Sequence, residues 1–193
     1  RAVDLAATLE KTNRAESLLL VGMGLERQGQ RLESQRILLS SLRSDPTNNQ
    51  TRFAILKPWL NRLGNDDIPE YVDDIAEQLT GSGAAVLTGW KAVGEENWQL
   101  LVELDEELAK TKPTDQWYLE SVKLRADWRI KVTSPGYQPG LAREARRLID
   151  NAIAIFHDPD FYSLRIASAF VADDAPEIIE TARRLIYLFD DEI

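Results

Sequence analysis

The stretch from Ala15 to Pro46 reads AESLLLVGMGLERQGQRLESQRILLSSLRSDP, and its reading decides the fold. Within it, Leu18 to Gln30 (LLLVGMGLERQGQ) carries glycines at 22, 24 and 29. A phosphate-cradling loop needs a strand before it and GxGxxG or GxxxxGK[ST] spacing. These glycines follow neither spacing, no Lys-Ser pair follows them, and the surrounding apolar residues recur every three or four positions, the period of an amphipathic helix. Gly22 is therefore expected where two helices approach closely, and Gly29 in the turn between them. Gly24 has no such account, although glycine inside a helix costs up to about 1 kcal/mol relative to Ala.

The same three-to-four spacing runs through most of the 193 residues, broken by polar turns at SDPTNN (44–49), LGNDDIP (63–69), TGSG (80–83), KTKPTD (110–115), TSPGYQPG (133–140), HDPD (157–160) and ADDAPE (172–177). Strand signals are nearly absent. Asp67 before Pro69 and Asp174 before Pro176 are the clearest helix-start signals. About ten helices in antiparallel pairs are expected.

Gly22 and Gly89 lie 67 residues apart, as do Pro46 and Pro113. This separation is close to two periods of about 34 residues. Counting Ala15 as position 1, Leu18 falls at 4, Val21 at 7, Gly22 at 8, Leu25 at 11, Ser34 at 20, Leu38 at 24, Ser41 at 27 and Pro46 at 32. In its alternation of large, small and proline positions this segment resembles a tetratricopeptide (TPR) repeat. The other units are more degenerate. From Ser82, Gly89, Ala92, Leu101, Leu108 and Pro113 fit, but Asp105 stands where a large apolar residue is expected. From Asn49, Leu56 replaces the small residue, and Pro58 should kink or restart the first helix. The unit from Thr114 is stretched, and the last starts near Asp160 with Ala167 as its small residue. Residues 1–12 read as the second helix of an earlier repeat, with Ala7 at its small position.

The resemblance implies an all-α fold, a right-handed α-solenoid of antiparallel helix pairs. The expected organisation is one array over 1–193, with a partial unit at 1–14 and units at 15–48, 49–81, 82–113, 114–159 and 160–193. Because the chain opens on RAVDLAATLEK without an initiator Met, it reads as a processed chain or a piece of a longer protein. The first helix of each pair would line a concave groove.

Composition narrows the partners. Apolar residues make up 44% and charged residues 28%, as in folded, water-soluble domains. A net charge of −9 argues against nucleic acid, which needs clustered Lys and Arg, and leaves a basic, neutral or anionic partner open. The chain has no cysteine, so it has neither a disulfide nor a thiol nucleophile. No apolar run approaches the roughly 20 residues that span a bilayer. Cytoplasm and periplasm both fit.

Chemistry-bearing residues are sparse. His157 is the only histidine and sits at a helix end. The acidic clusters at Asp66-Asp67, Asp73-Asp74, Glu103–Glu107, Asp173-Asp174 and Asp190–Glu192 have no calcium-loop spacing, and most read as helix starts or solvated faces. No catalytic, metal or cofactor residue is assigned. Of the five tryptophans, Trp59 and Trp117 fall at packing positions. Trp90 falls at position 9 of its unit, which faces the groove by the resemblance. Phe53, Val86 and Tyr118 occupy position 5, Lys57 position 9 and Arg125 position 12. These six are the candidate partner-binding residues, since aromatic and Arg side chains are the usual anchors of a bound segment. The Lys/Asn/Arg clamp by which some TPR domains grip a terminal carboxylate is missing, because Glu16, Leu19 and Met23 stand at its places in the first repeat. The function expected is a non-enzymatic scaffold that binds a protein or peptide. The alternative is the periplasmic TPR segment of a bacterial exopolysaccharide-export protein, binding the polymer or its modifying enzyme.

Overall fold

Asn13 opens the first helix, α1 (Arg14–Arg27), its Oδ1 accepting the Glu16 amide at 3.3 Å. After Arg27 the chain turns through Gly29, whose φ of +73° is the left-handed conformation that favours glycine. It returns as α2 (Arg31–Ser44). The two helices meet through small residues. A Cβ on Gly22 would lie 2.6 Å from Leu38 Cγ and Cδ2, so only glycine leaves room for that leucine. Two buried hydroxyls close the seam: Ser34 Oγ donates to the Gly22 carbonyl at 2.8 Å, and Ser41 Oγ to the Ala15 carbonyl at 2.7 Å. The later serine bonds the earlier carbonyl, so the helices run antiparallel. The motif that reads as a phosphate loop at first sight is a helix–helix contact.

The computed structural model describes residues 13–62, 68–133 and 139–189. The expectations for residues 1–12, for Asp66 and Asp67, for the centre of the TSPGYQPG loop and for Asp190–Glu192 lie outside them. The described residues are all helical, with ten α-helices and no strand. They fall into two compact units, Arg1–Leu79 and Thr80–Ile193, parted two residues before the expected repeat boundary at 81/82.

In the first unit, α2 packs on α3 (Asn49–Leu56), which Asn48 caps through the Thr51 amide at 3.0 Å. Pro58 has no N–H to continue the α-helical ladder. The helix accordingly stops at Leu56 and gives way to a 3-10 helix over Lys57–Arg62. Helix α4 (Glu70–Glu77) follows and packs on α3.

The second unit holds α5 (Ser82–Gly94), α6 (Trp98–Ala109), α7 (Tyr118–Thr133), α8 (Pro139–Ile155), α9 (Pro159–Val171) and α10 (Ala175–Phe189). Side-chain caps start three of them: Asn97 bonds the Leu100 amide, Asp158 the Asp160 amide and Asp174 the Glu177 amide. Helix α7 is the hub, touching α5, α6, α8 and α9. Gly89 of α5 leaves space for Leu124 of α7, which lies where a glycine Cβ would stand. Ser121 Oγ, buried, donates to the Leu108 carbonyl at the end of α6 at 2.7 Å. The core of this unit is built from Val122, Ala126 and Ile130 of α7, Ala145, Ile149 and Ala152 of α8, and Phe161 of α9.

Candidate functional site

Helix α7 meets neighbours around its whole circumference, so some of its charged residues are carried inside. Lys123 is 5% exposed. Its Nζ lies 2.9 Å from Asp158 Oδ2, 2.6 Å from Asp160 Oδ2 and 3.6 Å from Glu120 Oε1, with the Phe161 ring centroid at 5.6 Å. Burial alone would lower the ammonium pKa, but the Glu120 charge and the bonds to Asp158 and Asp160 outweigh it and hold Lys123 above the ordinary lysine range.

One turn along, a second cluster explains the residue that breaks the repeat pattern. Asp105 of α6, where an apolar side chain is expected, accepts Arg125 Nε at 2.9 Å and Arg129 Nη2 at 2.7 Å. Arg129 also donates to Glu144 Oε2 at 3.2 Å and to the Arg125 carbonyl at 2.7 Å, and its guanidinium lies 4.4 Å from the Trp128 ring centroid. Burial raises the Asp105 pKa, and the two guanidiniums more than reverse this, leaving it below the usual carboxylate range. A third cluster ties α8, α9 and α10. Arg165 donates to Glu177 at 2.6 Å and Asp150 at 2.5 Å, and Arg146 also bonds Glu177. Burial again opposes these shifts, and the partners again win: Glu177 is lowered and Arg165 raised.

These groups move away from neutrality. The clusters join α6, α7 and α8, α7 and α9, and α8, α9 and α10 through paired charges. His157 is exposed in the α8–α9 connection. Among the described residues, no three His, Asp or Glu side chains are grouped to hold a metal ion, and no helix is long and apolar enough to cross a membrane.

The six candidate partner-binding residues occupy different environments. Val86 is fully buried in α5, and Trp90, one turn on, is 8% exposed with no partner for its indole N–H. Both lie in the packed interior of α5, which α6 and α7 both contact. Tyr118 is half-buried and packs on Phe156 with ring centroids 5.9 Å apart. Arg125 is engaged by Asp105 and its side chain is 18% exposed. Phe53 is half-buried on α3, and Lys57 is exposed at the start of the 3-10 helix, both in the first unit. Sequence reasoning missed the cluster partners Lys123, Arg129 and Asp158. Asp105 at an apolar register position was the one available signal.

The fold and clusters define a class, an all-α protein of packed helix pairs clamped by partly buried ion pairs. Comparison of the chain with protein-family models, with curated proteins and with solved structures gives no match.

Proposed function

We propose that the chain is a TPR-like scaffold whose helix pairs stack in series and offer a helix-lined face to a segment of another protein. The succession of contacts in the second unit carries this reading. Helices α5, α7 and α9 touch one after another, while α6, α8 and α10 each pack on the helix before them. Stacked hairpins bury their faces in this way, because a single pair cannot do so alone. The α1–α2 seam, built on Gly22, Ser34 and Ser41, supports the same reading.

The bound segment is basic or neutral, in keeping with the −9 net charge. Lys57 and Phe53, and separately Tyr118, make the contact. Val86 and Trp90 shape their helix from within, and Arg125 holds its place through Asp105.

Affinity capture from cells, comparing the parent chain with Lys57→Glu and Tyr118→Ala, tests this. A discrete captured species should fall at least several-fold with one or both variants, while circular dichroism shows the fold intact. If both variants hold the same species as firmly as the parent, the groove reading fails.

A further inference from the structure

Among the described residues, helix α10 is packed on one side only. Thr181 and Phe189 are buried, Phe189 against Tyr162 with centroids 5.7 Å apart. On the outer side Pro176, Ile179, Arg183, Ile186 and Tyr187 recur at i, i+3, i+7, i+10 and i+11, a single helical stripe. Ile179 is 53%, Ile186 56% and Tyr187 86% exposed. Pro176, Ile179, Arg183 and Tyr187 of the stripe, together with Glu180 and Arg184, line a shallow, mostly apolar depression of about 500 Å³. Scattered exposed apolar residues need no explanation, but a continuous stripe on one helix does.

We propose that this face joins two copies of the chain, α10 against α10, antiparallel about a twofold axis near residue 182. The charged edge of the stripe is self-complementary. Glu180 and Arg184 lie along one edge of it, where they pair with each other at 2.7 Å while both remain largely exposed. Such a pair contributes little in water and is free to exchange partners. A twofold axis across antiparallel helices brings like edges together, as isologous contacts require. With the axis at 182, Glu180 of each copy meets Arg184 of the other, with Arg183 one residue away. Ile179 and Ile186, on the opposite edge, mirror each other about almost the same point, and Pro176 and Tyr187 do so in the middle. A parallel twofold would bring opposite edges together, setting Glu180 and Arg184 against Ile179 and Ile186, and lose the match. One helix per copy buries less than the roughly 1,200–2,000 Å² of a standard interface, so the association is weak. Its charged edge makes it sensitive to salt.

Sedimentation of the full chain over a range of concentrations provides the test. The mass should rise from 21.9 kDa toward twice that value, and less so at high salt. Glu180→Arg and Arg184→Glu should each weaken association about tenfold or more, because each sets like charges face to face. The double variant, which exchanges the charges, should restore it. Tyr187→Glu should abolish association with an unchanged circular dichroism spectrum. A chain that stays monomeric throughout overturns the proposal and leaves the stripe to a different protein. A double variant no better than the single ones overturns the antiparallel register.

Discussion

At Gly22 two opposing effects meet in one methyl group. Alanine favours a helix over glycine by about 1 kcal/mol, but here its Cβ would press into Leu38. Overpacking of this kind costs about 1–3 kcal/mol, so Gly22→Ala should lower the urea midpoint. Gly140→Ala makes the contrast. Nothing crowds its Cβ position within 4 Å, and a propensity gain, smaller at the second residue of α8 than in a helix interior, should raise the midpoint. Equal shifts for the two variants would show that the Gly22 contact does not govern the site. Asp105 is the other decisive residue. Its folded pKa is depressed, so its contribution is present above the unfolded value near 4 and fades as pH falls through the lower folded value. Asp105→Asn should therefore cost about 1–3 kcal/mol at pH 7, the worth of hydrogen bonds to charged groups. In unfolding curves taken at falling pH, the gap between variant and parent should close below about pH 4.

Among the elements, α7 departs most from the amphipathic pattern. It touches α5, α6, α8 and α9, and its buried cations find carboxylates within α7 and beyond it, Lys123 on Glu120, Asp158 and Asp160 and Arg129 on Asp105 and Glu144. Asp158 serves two elements at once, capping α9 and holding Lys123 of α7. Asn97 only caps α6. Loss of a cap costs about 1 kcal/mol, which sets the expectation for Asn97→Ala. Asp158→Ala should cost clearly more, because it also removes a partner from a buried cation. Thermal unfolding of the two variants side by side measures the difference. Equal losses would mean that Asp160 and Glu120 suffice for Lys123.

For the molecule as a whole, the division at Leu79/Thr80 matters most. The Thr80–Ile193 unit has its own core around α7 and its own ion-pair clamps. Expressed alone it should keep its helical circular dichroism and unfold in a single cooperative transition. A broad, non-cooperative melt would show that its core needs residues 1–79.

The sequence by itself determined what depends on local spacing. Helix period, Asp174 as a cap, Gly29 as a turn, Pro58 as a break in its α-helix and Gly22 as a close contact were all legible, because each is set within a few residues or one hairpin. The all-α class was therefore readable, and so was the oddity of Asp105. Only the tertiary structure decided which side of each helix is covered. Val86 and Trp90 lie inside, on a helix that both α6 and α7 contact. Lys123 and Arg129 went inside because carboxylates from α6, α8 and the α8–α9 connection reach them. The outer face of α10 kept its isoleucines in water because no described element packs there. Burial depends on partners distant in the chain, and the period of one helix does not name them.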